Sequence, residues 1–315
     1  MRRLRVLIFI LLGTLLYGCA QEPDQPVRLG TNVWPGYEPL YLARDLGYLS
    51  QSVRLVEYRS ASDVLRAFRN KSLEAASLTL DEVLSLKALD IPLAVVLIHD
   101  VSNGADVIIA NTEIEQMDDL VGKRVGVESG ALGAFVISRA LELNGLTAKD
   151  IRIKAVNVNR HEQAFKQDDV DAVVTFEPVR TKLLAFGGNE IFTSKEIPGE
   201  IVDVLVVHQD YLDRHPQIIQ QLVDGWFKAL NYMQSHRDDA LDKMAERLNI
   251  SAAEVAASYD GLLLPNRIEN NELLGGDKPK LADTADKLNQ SMVDMSLLTD
   301  NVNTEALFDA RFVQP

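Results

Sequence analysis

The chain has 315 residues, of which 47% are hydrophobic and 25% charged, with 46 acidic against 32 basic residues and a formal net charge of −14. This acidic balance, without a basic run downstream of the first few residues, argues against a nucleic-acid partner, because phosphate neutralisation needs clustered lysines and arginines. The length is enough for two ordinary domains, and the lone cysteine, Cys19, leaves no disulfide to hold them.

The first 18 residues have the layout of a secretory signal, with three arginines, an apolar run over residues 6–16 and the small residue Gly18. The run is shorter than the about 20 residues that a membrane-spanning helix needs. We therefore predict that residues 1–18 are a cleaved signal peptide. Cleavage would leave 29 basic and 46 acidic residues, a formal charge of −17.

Leu16-Tyr17-Gly18-Cys19 resembles the bacterial lipobox, in which the cysteine sulfur receives a diacylglycerol and the cysteine becomes the first mature residue. The sequence departs from that motif at Tyr17, where a smaller residue is usual. The resemblance implies a lipid anchor on Cys19 and a tether over residues 19–26, with the protein facing the periplasm or the cell exterior. The alternative is an ordinary signal peptide that is lost together with its cysteine.

From residue 27 onward, short β-branched apolar runs alternate with amphipathic stretches, which predicts an α/β fold with parallel sheets and crossover helices. The predicted strands of a first series are Val27–Asn32, Val53–Tyr58, Ala75–Leu78 and Leu93–Ile98. The predicted helices of this series are Tyr37–Leu46, Ala61–Asn70 and Asp81–Leu89. In the second helix, Val64, Leu65 and Phe68 share one face at helical spacing.

A second series repeats this layout, with predicted strands at Arg124–Val127, Ile151–Val156 and Ala172–Phe176. Its predicted helices are Ala131–Leu143, His161–Phe165 and Pro178–Phe186. Two long apolar strands bracket this series, at Ala105–Ala110 and Ile201–His208. Their order predicts a chain that crosses from one lobe to another and back.

After Pro216 the sequence becomes helical. The predicted helices of this C-terminal region are Ile218–Ser235, Asp238–Leu248, Ser251–Leu263 and Leu281–Leu298. Ser251 and Glu254 have the spacing of a capping box, which predicts a helix start at that point.

The spacing of the histidines, serines and glycines matches no catalytic, metal or nucleotide motif. HEQAF at residues 161–165 begins like a zincin helix but has no second histidine at the fifth position. GVESG at residues 126–130 is not G-x-S-x-G, and the glycines of GVESGALG fit neither the dinucleotide nor the P-loop pattern. We therefore predict that the protein is not an enzyme and uses no cofactor or metal.

TNVWPGYEPLYLARDLGYL at residues 31–49 is similar to the start of the extracytoplasmic solute-binding proteins of ABC importers, in the branch with nitrate, taurine, alkanesulfonate and thiamine-precursor binders. Later blocks resemble successive parts of that family: EAASLTLDEVL, DVSNGAD, DLVGKRVGVESGALG, DAVVTFEPVRTKL and VDVLVVHQDYLDRHP. Together these blocks cover most of residues 27–235, whereas residues 263–315 are much less diagnostic.

The resemblance implies a two-lobed periplasmic-binding-protein type II fold with two crossover strands, in which the ligand lies between lobes that close on it. We expect lobe 1 to comprise residues 27–104 and 209–315, and lobe 2 to comprise residues 105–208 with the crossover strands. The implied partners are a small-molecule ligand and an ABC permease, and we expect a monomer.

Ligands of open α/β sheets bind beyond the carboxyl ends of strands, where helix N-termini present free N–H groups. Carried over by motif, five turns supply the candidate ligand-binding residues. We expect aromatic walls from Trp34, Tyr37 and Phe176, although core packing fits Tyr37 equally well. The other candidates are Glu38, Thr79, Asp81, Asp100, Ser102, Glu128, Ser129, Glu177 and the backbone amides of Gly130 and Ala131.

These five turns carry five acidic residues and neither arginine nor lysine, which departs from the anion-binding members of the family. If several carboxylates face the cleft, they repel a sulfonate or nitrate and fit a cationic or amine-bearing ligand that stacks on Trp34 or Tyr37. The alternative for Glu38, Asp81 and Glu177 is a favourable interaction with the helix dipole, worth about 0.3 to 1 kcal/mol each.

The leading hypothesis is a lipid-anchored receptor that captures a small nitrogen- or sulfur-containing organic solute for an importer. One alternative keeps the binding fold but makes it the sensor input of a membrane kinase or cyclase. Another alternative is an enzyme of the thiamine-pyrimidine type. Against it, the cysteine-rich motif of the fungal pyrimidine synthases has no counterpart in a chain whose one cysteine is Cys19.

Overall fold

The structure is a computed structural model that describes residues 26–130 and 132–315. The predicted signal peptide, the predicted lipidation site Cys19, nearly all of the predicted tether, and Ala131 lie outside the described residues. Within the described part of the chain, no helix has the length and apolar character that crossing a membrane requires.

The strands form two sheets. The strands of the first sheet are β1 (Val27–Thr31), β2 (Val53–Glu57), β3 (Ala75–Thr79), β4 (Leu93–Ser102), β10 (Val202–His208) and β11 (Leu262–Leu263). They lie in the order β11-β4-β10-β3-β1-β2. β1 is parallel to β2 and β3, whereas β10 is antiparallel to both of its neighbours, β3 and β4.

The second sheet has five strands and is also mixed. Its strands are β5 (Asp106–Ala110), β6 (Arg124–Val127), β7 (Arg152–Ala155), β8 (Ala172–Phe176) and β9 (Asn189–Thr193). They lie in the order β7-β6-β8-β5-β9, and β5 is antiparallel to β8 and β9. The α/β class is confirmed, but the sheets are mixed instead of wholly parallel, because the strand that follows each crossing, β5 or β10, runs against both of its neighbours.

Helices accompany each sheet, and we refer to a sheet with its helices as a lobe. The helices of the first lobe are α1 (Glu38–Asp45), α2 (Ala61–Arg69), α3 (Leu80–Lys87), α7 (Gln209–Arg214), α8 (Pro216–Ser235), α9 (Arg237–Leu248), α10 (Ala252–Ser258), α11 (Arg267–Leu274) and α12 (Lys280–Asp294). The helices of the second lobe are α4 (Leu132–Leu143), α5 (His161–Lys166) and α6 (Val179–Ala185).

Helix α2 shows how the sequence sets a local structure. The Ser60 side chain accepts a hydrogen bond from the Asp63 N–H at 3.3 Å and caps the helix. Val64 and Phe68 are fully buried and Leu65 is partly buried, so the amphipathic face predicted for this helix is confirmed.

The chain crosses between the sheets over residues 103–105 and again over residues 194–201. The prediction that two crossings bracket an inserted α/β unit is confirmed. However, neither predicted crossover strand spans both sheets, because each completes its backbone pairing within one of them. β5 pairs within the second sheet and β10 within the first. Residues 202–208, which the sequence analysis assigns to lobe 2, therefore pair with the strands of lobe 1.

Other differences from the predicted elements have local causes. β4 continues beyond Ile98 to Ser102, because its last residues pair with β11. The helix predicted over 251–263 ends at Ser258, where the chain turns through a 3-10 helix at Tyr259–Gly261 into that same strand. The sequence pattern predicted neither β9 nor α11, and the helix predicted over 281–298 ends at Asp294.

A bulge in β4 is held by a side chain of α11. The pairing with β10 skips His99, so that Asp203 faces Asp100 while Val204 faces Ile98. Fully buried Asn270 accepts from the Ile98 N–H at 2.7 Å and donates to the Ile98 carbonyl at 3.1 Å, as a neighbouring strand would. A bulge of this kind re-aims the next side chain, which here is Asp100.

We expect Asn270→Leu to lower the free energy of unfolding by about 2–4 kcal/mol, because it leaves two buried backbone groups of Ile98 unpaired at about 1–3 kcal/mol each. Urea unfolding followed by circular dichroism measures this difference. Asn271→Leu is the matched control, since that side chain makes no hydrogen bond within the described residues, and it should change stability by less than about 1 kcal/mol. Equal stability of the two variants would contradict the role given to Asn270.

Candidate functional site

The candidate site lies between the lobes, where the ends of β3, β4 and β8 adjoin the starts of β10 and β5. Because β10 is antiparallel to its neighbours, Asp203 near its start pairs with Thr79 at the end of β3 and with Asp100 near the end of β4. In the second sheet, Asp106 at the start of β5 pairs with Phe176 at the end of β8. Directly paired residues carry their side chains on the same face, about 5 Å apart. The mixed topology thus gathers acidic residues at one boundary.

A cavity of ≈ 30 Å³ lies at this boundary. The residues that line it are Asn32, Trp34, Tyr37, Ala61, Thr79, Glu82 and Asp203 from the first lobe, and Asp106, Leu132 and Phe176 from the second. Four of the predicted site residues, Trp34, Tyr37, Thr79 and Phe176, are therefore brought together. None of the described residues that line the cavity is a lysine or an arginine.

Three aromatic side chains form the walls, and two of them, Trp34 and Tyr37, donate hydrogen bonds to acids. Trp34 meets Phe176 of the opposite lobe edge to face, with ring centroids 5.3 Å apart and planes at 89°. The Trp34 indole N–H donates to Asp100 Oδ2 at 3.1 Å, and the Tyr37 hydroxyl donates to Asp203 Oδ1 at 2.5 Å. Tyr37 is both a buried residue and part of the cavity wall, so the two interpretations of its role are compatible.

Gly36 makes the contact between Trp34 and Asp100 possible. A Cβ atom at this position would overlap the Asp100 carboxylate and the indole nitrogen of Trp34. The short 3-10 turn over Pro35–Tyr37 therefore requires a residue without a side chain in its middle.

Four acidic residues at or beside the cavity, Glu82, Asp100, Asp106 and Asp203, are at most 3% exposed. Burial raises the pKa of Glu82 and Asp100 to about 8 and the pKa of Asp106 to about 7. The pKa of Asp203 is raised well above its usual range, first by burial and then by the charge of Asp100. Such shifts mean that the ionised carboxylates lack a compensating positive charge.

Several of these carboxyl oxygens also lack hydrogen-bond donors. Asp100 Oδ1, Asp106 Oδ2 and Asp203 Oδ2 are buried and receive no hydrogen bond from any described N–H or hydroxyl group. Buried polar atoms without a partner are uncommon in native proteins, and each costs about 1–3 kcal/mol. Since Asp106 and Asp203 line the cavity, a molecule bound there could supply the missing donors.

The neighbouring histidine does not supply the missing charge. Burial lowers the pKa of His99 to about 3, so its ring stays neutral at physiological pH. Its Nε2 lies 3.0 Å from Ser77 Oγ, and its ring contacts Tyr37 and Trp226. Within the described residues, no group of three or more His, Cys, Asp or Glu side chains is arranged to hold a metal ion.

Glu128, a predicted ligand residue, joins the two lobes. Its Oε1 accepts a hydrogen bond at 2.8 Å from the Ser62 N–H at the start of α2, in the opposite lobe. Its Oε2 accepts at 3.2 Å from the Val158 N–H of its own lobe. A longer contact of the same kind, 3.4 Å, joins Glu82 Oε1 to the Leu132 N–H across the boundary. The lobes are therefore in contact, and the cleft is closed.

Asp81, Asp100 and Ser102 lie beside the cavity but do not line it. Asp81 precedes Glu82 on α3, and burial raises its pKa to about 6. The sequence pattern predicts a turn at Asp100 and Ser102, but both residues belong to strand β4. The Ser102 hydroxyl accepts from the Asp106 N–H at 3.3 Å and so fixes the first crossing.

Glu38 and Glu177 are not brought to the cavity, because each carboxylate is held by an arginine elsewhere. Glu38 forms an ion pair with Arg247 of α9, whose Nε donates at 2.7 Å. Glu177 accepts at 3.1 Å from Arg180, one turn further along. Both acids therefore have structural partners.

Ser129 and Gly130 are exposed in the turn before α4 and do not line the cavity. Ala131, for which a backbone contact was predicted, lies outside the described residues. The lining contribution of this turn comes from Leu132, at the first position of α4.

Sequence reasoning missed three acidic lining residues, Glu82, Asp106 and Asp203. Asp106 and Asp203 are lone charges in the apolar strands ADVIIA and IVDVLVVH, and burying an unpaired charge is costly. That cost is a signal that could have identified them. Glu82 adjoins the predicted Asp81, and only the phase of α3 decides which of the two side chains faces the cleft.

Comparison with known proteins gives a family and two sets of relatives. The model of the NMT1-like family matches residues 20–249. The taurine-binding periplasmic protein of Escherichia coli is 21% identical over 269 residues, which cover 80% of this chain and 83% of that protein. The putative aliphatic sulfonates-binding protein of Escherichia coli is 22% identical over 215 residues, covering 68% and 67% of the two chains.

Solved structures agree with the fold. The alkanesulfonate-binding protein SsuA of Xanthomonas axonopodis, bound to MOPS, superimposes with a TM-score of 0.75 at 18% identity, over 90% of this chain and 97% of that one. The desulfurization enzyme DszB reaches a TM-score of 0.66 at 16% identity, over 92% and 97%. The chain therefore has the two-lobed α/β fold of periplasmic binding proteins.

We expect Glu128→Gln to shift the lobes toward the open arrangement by at least about tenfold, because glutamine loses both the charge and one acceptor of a charge-assisted bridge. Distance distributions between spin labels on one exposed residue of each lobe measure the two populations. Glu115→Gln is the matched control, since its exposed side chain makes no hydrogen bond within the described residues. Identical distributions for Glu128→Gln and the wild-type chain would refute the bridging role.

Proposed function

We propose that this chain, which belongs to the NMT1-like family, is the exported solute-binding protein of an ABC importer and binds a small organic cation with an amine-type nitrogen. Support for the binding role comes from the periplasmic binding proteins among its relatives and from a cavity between two touching lobes. A ligand stabilises the closed arrangement to the extent that it binds that arrangement more tightly than the open one.

The observation that carries the ligand class is the uncompensated negative charge of the cavity. Glu82, Asp106 and Asp203 line it, without a lysine or arginine among the described lining residues. Removing a carboxylate from water without a partner costs several kcal/mol. A bound cation offsets this cost, because it supplies the positive charge that the lining residues lack. Trp34 and Phe176 add aromatic surfaces that attract cations.

This ligand class differs from the anionic groups named for the relatives. A sulfonate placed about 4 Å from one ionised carboxylate is repelled by about 4 kcal/mol at an effective dielectric constant of about 20. The cavity holds several such carboxyl groups, so the same fold here favours the opposite charge. We infer that taurine, which carries a sulfonate as well as an ammonium group, is rejected.

The remaining partners follow from the binding role. We infer that the chain is exported, anchored by lipid on Cys19, and acts as a monomer that delivers its solute to a membrane permease. The alternative of a sensor input uses the same closure and differs only in the membrane partner. Loss of amine uptake in a host that lacks this chain would favour transport, and unchanged uptake would favour sensing.

The fold also serves the desulfurization enzyme DszB, so catalysis needs separate consideration. We favour binding without turnover, because the lining residue Asp203 and the adjacent Asp100 are occupied as acceptors for Tyr37 and Trp34, and no cysteine is among the described lining residues. Recovery of the bound compound unchanged after long incubation is the expected result.

A matched set of two-carbon compounds tests the ligand class. We expect ethylammonium to raise the melting temperature of the purified protein, with a rise that grows with the logarithm of its concentration above the Kd. Ethanesulfonate and taurine should leave the melting temperature unchanged, because the cavity acids repel their sulfonate groups. Stabilisation by either sulfonate without stabilisation by ethylammonium would refute the proposed ligand class.

The raised pKa values predict that cation binding strengthens as the pH rises. Ligand-free carboxyl groups with pKa values of about 7–8 must release protons when a cation enters, so affinity should increase as the pH rises from about 6 through about 8. The stability of the ligand-free protein changes with pH in the opposite direction. The pKa values of these carboxyl groups are higher in the folded than in the unfolded protein, so their contribution to the free energy of unfolding is complete at low pH and is lost as the pH rises through about 8.

Calorimetric titrations in buffers of different ionisation enthalpy measure the proton release, and thermal unfolding measures the stability. Asp203→Asn removes one titrating group and should flatten both profiles, whereas the exposed Asp242→Asn should leave them unchanged. Affinity for ethylammonium that falls as the pH rises would contradict the prediction.

A further inference from the structure

We propose that the site selects compact cations with several N–H donors, such as primary ammonium, amidinium or guanidinium groups, over cations of equal charge without N–H groups. This inference deepens the proposed function and rests on it. Neither the charge of the cavity nor its aromatic surface distinguishes between cations of equal charge, so the hydrogen-bonding groups must do so.

The unpaired oxygens require donors and not merely positive charge. Asp106 and Asp203, 2% and 3% exposed, both line the cavity, and each has one buried oxygen that no described group donates to. Asp100 has a third such oxygen beside the Asp203 carboxyl. A carboxylate oxygen is satisfied by an N–H group at hydrogen-bond distance, whereas a methylated nitrogen offers none.

Two side-chain donors of the site, the Trp34 indole and the Tyr37 hydroxyl, are already committed. The Trp34 indole N–H and the Tyr37 hydroxyl occupy the second oxygens of Asp100 and Asp203. These bonds orient the carboxyl groups and leave the unpaired oxygens for a ligand. Asp106 belongs to the second lobe and Asp203 to the first, so a cation that donates to both would bridge the lobes.

The size of the cavity restricts the ligand to few atoms in the closed arrangement. Its volume of ≈ 30 Å³, with an adjoining cavity of ≈ 20 Å³ that shares Asp106 and Phe176, is far below the about 300 Å³ of a drug-sized pocket. Leu132 and Phe176 of the second lobe close the space. A nitrogen with three methyl groups is bulkier than an ammonium group and needs the lobes to move apart.

Aromatic contacts alone would not produce this preference, because aromatic faces attract quaternary ammonium ions as well as primary ones. The preference comes from hydrogen bonding, which discriminates strongly when an analogue leaves buried polar groups unpaired. Because Asp106 and Asp203 each bring one unpaired oxygen to the cavity, we expect N–H cations to bind at least about 100-fold more tightly than their permethylated counterparts.

Calorimetric titration of the purified wild-type protein compares ethylammonium and acetamidinium with ethyltrimethylammonium. The expected result is binding of both N–H cations with a preference of at least about 100-fold. Equal or tighter binding of ethyltrimethylammonium would overturn the inference while leaving the cationic ligand class intact. Binding of ethanesulfonate in place of all three cations would instead overturn the proposed function, and failure of both N–H cations to bind would overturn the inference.

Asp106→Asn tests the donor argument at one residue. Its amide replaces a carboxylate oxygen that accepts with an NH₂ group that donates, so we expect the preference to fall to less than about tenfold. The exposed Asp118→Asn in the same lobe is the matched control and should keep the full preference. An unchanged preference in a folded Asp106→Asn protein would overturn the role of this oxygen, and Asp203→Asn provides a second variant if the first does not fold.

Discussion

Two buried aspartates on adjacent antiparallel strands, Asp100 and Asp203, face each other without a basic side chain between them. Like charges directly opposite on a sheet are destabilising, and burial increases that cost because water no longer screens the charges. The pair can be stable with shared protons or with a bound cation. The raised pKa values describe the first state, and the unpaired oxygens of the cavity are suited to the second.

The fold creates this arrangement through its two crossings. Because the chain returns from the second sheet as β10, that strand runs against β3 and β4 and brings its start to their ends. The same reversal places Asp106 of β5 beside Phe176 of β8. A purely parallel sheet would place only strand ends at this edge. The bulge at His99 and the missing side chain at Gly36 then let Asp100 meet both Asp203 and Trp34.

Periodicity was sufficient to predict the α/β class, most strands and the bracketing of one unit by another, because buried strands and amphipathic helices leave strong patterns. It did not predict strand direction, so β10 was assigned to lobe 2 and Asp203 was missed. Of the residues predicted from the turns, Trp34, Tyr37, Thr79 and Phe176 line the cavity. Glu38 and Glu177 do not line it, because they pair with Arg247 and Arg180, and these partners are recognisable only in three dimensions. The expectation of an acidic cleft without basic residues agrees with the cavity, although different acids line it.

The central claim is that the buried acids hold a cation through its N–H groups, and a crystal structure of the protein with acetamidinium tests it most directly. The account predicts the cation in the cavity beside the contacting rings of Trp34 and Phe176, with nitrogens about 3 Å from carboxyl oxygens of Asp106 and Asp203. A cation bound only at the surface, or an anion in the cavity beside these acids, would contradict it.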